Sequence, residues 1–325
     1  MSSSGIALQL VVMTKTEKSA YHPLVASLLG ILFVSTASIF IRFAQSEASS
    51  IAIAAIRLTL ASLVLLPIAL IKFRYEWQGL TKKALLKGIL SGIFLALHFA
   101  SWIKSLEFTS VASSVVIVTT TPLWVALLSP VILNEHIRKP VIVGLVIAIA
   151  GGILVGLGNI CNFTGGEFVC KPMLIGGKAM VGNFLALFGA WMAAGYLIMG
   201  RQLRRNLNTV SYTALVYSIA AVLLLFGVVI NREPIFSYSA ETYLWLFALG
   251  LIPQLLGHTI FNWSLKYISA AYVSLSLLGE PIGTILLAMI FLRESPTLLE
   301  SIGAIIILAG IVVSSIRKSG PVNVA

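Results

Sequence analysis

Residues 274–294 read SLSLLGEPIGTILLAMIFLRE, with Glu280, followed by Pro281, near the middle of about twenty otherwise apolar residues and Glu294 at its end. Placing a charge at the centre of a lipid-embedded helix costs roughly 3 kcal/mol. A carboxylate in such a run therefore marks a functional position by default, one able to exchange a proton or to hold a substrate ammonium. Pro281 removes a backbone donor and predicts a kink that frees a carbonyl nearby. The competing reading is a protonated Glu280 that only hydrogen-bonds a neighbouring helix.

Other polar and aromatic side chains sit in comparable runs. His98 and Trp102 lie four apart in ALHFASW, and Gln254, His258 and Asn262 are spaced by four in IPQLLGHTIFNW beside Pro253. Each set predicts a polar stripe on one helix, facing a bundle interior rather than lipid. Thr119, Thr120 and Thr121 precede Pro122; Trp191 and Tyr196 share one run, and Ser35, Thr36 and Ser38 another. As functional groups these side chains line a substrate cavity, with Pro122 and Pro281 as hinges and Glu280 as the candidate for proton coupling. Otherwise the polar ones are interhelical glue of about 0.6 kcal/mol per contact, and the aromatics are packing.

The elements that hold these residues follow from composition. The chain has 325 residues, 58% of them hydrophobic, 10% charged, and a mean hydropathy of +1.01. Soluble domains carry about 25% charged residues, and a core in a chain of this length is too small to hide the excess apolar surface. The surrounding solvent must be lipid. The net charge of +11 is spread between apolar runs with no aromatic-laced basic patch, which argues against nucleic acid as a partner.

Apolar runs predict ten spans: 23–44, 50–71, 84–104, 110–133, 140–158, 176–199, 209–230, 242–264, 269–292 and 298–316. Continuous runs of this length are helices, because β-barrel strands would alternate over about ten residues. The expected fold class is an all-α integral membrane protein. With a cytoplasmic N-terminus, fifteen Lys and Arg fall inside and six outside, with Arg57 within a span. That bias places both termini in the cytoplasm.

Residues 1–21 are expected to form a cytoplasmic tail and 317–325 another; 159–175 is the one long outward connection. That connection holds both cysteines, Cys161 and Cys170, which an oxidising exterior permits to form a disulfide. Two free thiols are the alternative. Without histidines nearby they make no zinc site.

The chain matches itself at an offset of 159 residues. SLEFTSVA (105–112) meets SLKYISAA (264–271), Pro122 meets Pro281, Glu135 meets Glu294, Gly144 meets Gly303 and Gly151 meets Gly310. Each copy, 22–158 and 176–316, holds five spans. An odd number inverts the second copy, so the ten helices form two inverted five-helix repeats, an arrangement that supports alternating access around a midplane site. Glu280 falls opposite Thr121, and His258 lies one residue from the position matching His98.

TTPLWVALLSPVILNE in one copy and LLGEPIGTILLAMIFLRE in the other resemble the drug/metabolite transporter superfamily, in its ten-span branch of two tandem EamA-type domains. Arg57, early in the second span, is similar to an arginine in that family's pattern. The resemblance covers about residues 22–316. It implies a secondary transporter in a plasma membrane, with export of amino acids or related metabolites as the first expectation and proton-coupled efflux of drugs or toxic compounds as the alternative.

No GxxxxGK[ST] phosphate loop, HExxH or GxSxG motif occurs, so neither ATP as fuel nor hydrolytic chemistry is expected, and no cofactor is implied. An intramembrane enzyme on lipid-linked substrates would need a clustered acid/base or metal constellation that the sequence lacks. A receptor would not need the duplication. The expected partners are a small polar or amphipathic molecule and the lipid bilayer, with proton coupling, flux direction and oligomeric state left open by these patterns.

Overall fold

The computed structural model describes residues 23–109, 114, 117–135, 137–158, 161–164, 167–170, 178–291 and 298–315. The two expected tails, and Glu294 with its neighbours 292–297, lie outside these residues.

The first half runs α1 (Pro23–Ser35), α2 (Ala37–Ala44), α3 (Ser50–Lys72), α4 (Arg74–Gln78), α5 (Lys82–Phe108), α6 (Thr121–Ile132) and α7 (Lys139–Gly158). A hairpin of β1 (Cys161–Thr164) and β2 (Glu167–Cys170) follows. The second half is α8 (Lys178–Leu203), α9 (Thr209–Ile230), α10 (Ala240–Leu249), a π-helical segment (Gly250–His258), α11 (Thr259–Ser264), α12 (Ala270–Ser276), a 3₁₀ turn (Leu277–Gly279), α13 (Glu280–Phe291) and α14 (Leu298–Ser315). Among the described residues, seven helical runs are long and apolar enough to cross a membrane, and three shorter apolar helices accompany them. The fold is all-helical apart from the hairpin, whose antiparallel register sets Cys161 opposite Cys170.

The helices begin where side chains satisfy their first N–H groups. Ser49 caps α3 through the Ala52 N–H, Thr81 caps α5 through Ala84, Asn208 caps α9 through Ser211 and Ser239 caps α10 through Thr242. Such caps stabilise a helix by about 1 kcal/mol each. Ser49 and Asn208 stand 159 residues apart, so the self-match extends to helix starts. Two carboxylates tie these caps across the fold: Glu76 accepts the Asn208 N–H at 3.0 Å and Glu47 accepts the Ser239 N–H at 2.7 Å.

Breaks in the helices fall at identifiable chemistry. Thr36 separates α1 from α2, its hydroxyl returning to the Phe33 carbonyl at 2.7 Å. Thr284 donates to the Ser35 carbonyl at 3.2 Å, and Ser35 donates to the Glu280 carbonyl at 3.1 Å. Pro122 and Pro281 each occupy the second residue of a helix, α6 and α13. There a missing N–H costs nothing, and proline instead ends the helical path before it. The expected kink is thus a restart: both helices begin afresh, one at Thr121 and the other at Glu280.

Glycines allow the tightest crossings. Built on Gly151, a Cβ would lie 2.6 Å from the Gly303 carbonyl oxygen; on Gly310 it would lie 2.6 Å from the Gly144 carbonyl oxygen. The two contacts are one contact shifted by 159 residues with the roles of α7 and α14 exchanged. Around α1, a Cβ on Gly257 would approach Val34 Cγ1 to 2.8 Å, and one on Gly283 would overlap Ser35.

Gly151→Ala and Gly310→Ala should each lower the thermal stability of the detergent-purified protein, by about 1–3 kcal/mol. Gly152→Ala should be neutral within error, because a Cβ there meets nothing within 4 Å. Glu47 lies in a loop, where hydrogen bonds from Ser239 hold its carboxyl below the usual carboxylate range. A depressed folded-state pKa contributes stability above the unfolded value that is lost as pH falls through the folded one. Glu47→Gln should therefore be less stable than the parent at neutral pH, and the difference should vanish in acid unfolding carried out below the carboxylate range.

Candidate functional site

A cavity of about 780 Å³, its open mouth included, lies between the two halves. The first half contributes α1, α2, α5 and α6 together with Val118 and Thr119; the second contributes α8, the π segment, α11, α12, the 3₁₀ turn and α13. Most of the wall is apolar or aromatic, and a few polar groups converge on it.

Glu280 opens α13 at this wall and is half-buried. Among the described residues its carboxylate makes no hydrogen bond and no ion pair, so it is available to a ligand.

His98 Nδ1 bonds the Gly189 carbonyl at 2.9 Å, which fixes the ring against α8, and Trp102 stacks on it at 5.9 Å. His258 makes no hydrogen bond among the described residues and packs edge-on to Phe99 at 5.4 Å. Both histidines thus pack against Phe99, and both line the cavity.

Asn262 is buried and saturated. Its Oδ1 accepts from the Tyr196 hydroxyl at 2.6 Å and its Nδ2 donates to the Tyr217 hydroxyl at 3.0 Å. Arg204 Nε donates to the Asn262 carbonyl at 2.9 Å, and its other nitrogens bond the Leu207 carbonyl and the Thr209 hydroxyl. Burial lowers the Arg204 guanidinium to about 10, so it stays charged at neutral pH. Removing one member of such a chain leaves a buried partner unsatisfied, at about 1–3 kcal/mol. On the same side Arg201 Nε meets Glu135 at 2.7 Å and its NH1 donates to the Leu265 carbonyl at 2.6 Å. This pairing of Glu135 joins α8, the end of α6 and the end of α11.

Of the residues singled out in the sequence, Glu280, His258, Asn262, His98, Trp102, Thr121, Tyr196 and Pro122 line the cavity. Thr120, Trp191, Gln254 and Pro281 do not. Thr120 turns to accept from Trp124 Nε1 at 3.2 Å, and Trp191 packs edge-on to the same Trp124 ring at 5.4 Å, outside the wall. Gln254 departs from the expected stripe because the π segment carries an extra residue per turn, which rotates it off the face shared by His258 and Asn262. It is fully buried, and neither end of its amide makes a hydrogen bond of ordinary geometry.

Sequence reasoning missed Phe99, Arg204 and Tyr217. A phenylalanine in an apolar run carries no signal, and Arg204 reads as one more cytoplasmic charge. Arg57, left without a partner in the sequence, proves fully buried with its guanidinium carbon 4.1 Å above the Phe99 ring, and none of its three side-chain nitrogens is hydrogen-bonded. A desolvated cation–π contact of this kind contributes about 2 kcal/mol, less than the several kcal/mol of taking an ion out of water.

Known proteins show the same pattern. The chain is 23% identical over 252 residues to the uncharacterized transporter YxxF of Bacillus subtilis (strain 168), covering 77% of this chain and 76% of that protein. An uncharacterized transporter of Archaeoglobus fulgidus is 24% identical over 297 residues, covering 89% and 94%. A solved crystal structure superposes with a TM-score of 0.71 at 18% identity, over 90% of this chain and 96% of that one, and shares the fold. The EamA-like transporter family model matches residues 23–157 and 180–316, nearly the whole of both halves. This chain is a membrane protein of the EamA-like transporter family, with two tandem EamA domains.

Proposed function

We propose that the protein is a secondary transporter that carries a small polar or amphipathic metabolite by alternating access, through ten spans arranged as two inverted five-helix repeats. The three shorter apolar helices complete the seven longer ones in this reading. Its main support is the cavity, because the same three spans of each half, the first, third and fourth, supply the wall, with Glu280 exposed to it. The exchanged glycine contacts of α7 and α14 also favour a two-fold relation between the halves. Both termini are then cytoplasmic, as the Lys and Arg distribution favours, and the membrane is the plasma membrane.

Export of an amino acid or related metabolite is the substrate reading we adopt. Glu280 would hold the ammonium, Trp102 and Tyr196 the apolar body, and His98, His258 and Asn262 the polar rim. Tyr196 and Asn262 are already bonded to each other, so a ligand would contact the outer faces of that pair. Glu280 is also the group in the wall best placed to exchange a proton, and proton-coupled efflux of an amphipathic cation is the second reading that this carboxylate supports.

In proteoliposomes, flux of the carried compound should fall at least about tenfold in Glu280→Gln, a loss consistent with a charged hydrogen bond. If a proton is exchanged, an imposed pH gradient should drive flux in the parent and not in the variant. Gradient-driven flux that survives Glu280→Gln would remove this residue from the proton path. We also propose that Cys161 and Cys170 are joined across the hairpin. Peptide mass mapping of protein alkylated without reductant should then find neither thiol modified, and both modified after reduction.

A further inference from the structure

Behind Phe99, away from the cavity, α3, α9 and the π segment enclose polar groups that the transport reading does not use. Arg57 is fully buried, and among the described residues Nε and both terminal nitrogens find no hydrogen-bond partner. Gln254 is fully buried, with both amide atoms in the same condition. The two belong to one place. A Cβ on Gly250, one turn before Gln254, would lie 3.4 Å from the Arg57 carbonyl oxygen and 2.8 Å from Leu60 Cβ. Tyr217 stands between them, close enough to act electrostatically on Arg57, while Gln254 and Thr259 approach its hydroxyl.

The charge balance there is incomplete. Glu280 attracts Arg57 through space, yet among the described residues no carboxylate comes within ion-pair distance of it. Phe99 covers one face of the guanidinium and leaves its in-plane N–H donors open. Five donors in a fixed fork, with the amide N–H₂ of Gln254 on the adjacent π segment, make a buried, positively charged group of donors. A π-helical turn at this point is the kind of local irregularity that accompanies binding sites.

We propose that Arg57 and Gln254 form an anion-binding site behind Phe99, for a small anion or oxyanion that accepts from the guanidinium and the amide together. The chemistry is shared by two sources, an inorganic anion such as a halide and the acid group of an organic ligand in the adjoining cavity. Only the second source rests on the transport reading.

Binding is measured on the full chain in detergent, with no gradient, so failure here leaves the transport reading intact. The probes are sodium bromide, sodium acetate and sodium butyrate, each exchanged against gluconate at constant ionic strength. Melting temperature and the emission of Trp102, whose ring lies 6.5 Å from that of Phe99, are followed together. A ligand that binds only the folded state raises the melting temperature in a saturable way.

The expected result is a saturable response to at least one anion, with an apparent affinity at least about tenfold weaker in Arg57→Gln. It should be measurably weaker in Gln254→Leu, which keeps the charge and loses the amide. Bromide alone identifies an inorganic anion, and acetate or butyrate alone the acid group of an organic ligand. Mutual competition identifies one site serving both. Should Arg57→Gln fail to fold, Arg57→Lys and Gln254→Leu carry the comparison. A response that does not saturate, or one unchanged in these variants, overturns the proposal and leaves buried water as the partner of both side chains.

Discussion

Hydrocarbon offers no hydrogen bonds, and the fold follows from that constraint. A helix that crosses lipid satisfies its own backbone, but its polar side chains must find partners inside the bundle. Here they are gathered along one internal seam. The outward faces of α3, α5, α9 and α14 carry exposed Leu, Ile, Val and Phe, whereas Glu280, both interior histidines and Asn262 meet at the cavity. The same constraint explains why each break in a helix is compensated: a hydroxyl or a turn of another pitch takes up the carbonyl or N–H that the break releases.

Within the seam, polar groups fall into two kinds. Asn262, Tyr196, Tyr217 and Arg204 are linked donor to acceptor and act as structure, with Asn262 and Arg204 each held by three bonds. Among the described residues, the side chains of Glu280 and His258 make no hydrogen bond, although both line the cavity. Saturated groups set the shape of the chamber and unsaturated ones remain to interact with what enters it. Arg204, itself buried, grips the backbone of Asn262, the residue whose side chain lines the chamber.

Much of this organisation was legible in the residues. The apolar runs predicted helices whose observed ends agree closely for α3 and α9, and the 159-residue offset anticipated the matching caps at Ser49 and Asn208. The site was legible where a charged or polar residue stands alone in an apolar run, as with Glu280, His98 and His258. It was illegible where the signal is geometric. Nothing in IPQLLGHTIFNW announces a π turn, so Gln254 was expected to line the cavity beside His258 and instead lies buried outside its wall. Phe99 is unremarkable in composition and gains its place from Arg57 above it and its contacts with both histidine rings. The break at Thr36 is likewise a product of tertiary contact, since it depends on Thr284 and on the absence of a side chain at Gly283.

The crossing of α7 and α14 has a mechanical consequence. Where glycine meets a carbonyl on both helices, backbone touches backbone, and no side chain is present to swing aside and permit sliding. Those two helices therefore behave as a single stiff strut. Any large rearrangement of the bundle has to be absorbed elsewhere, at the soft joints: the turn at Thr36, the restarts at Thr121 and Glu280, and the widened coil at 250–258. All four joints border the chamber or lie next to residues that do, so deformation and ligand contact are concentrated in the same small volume.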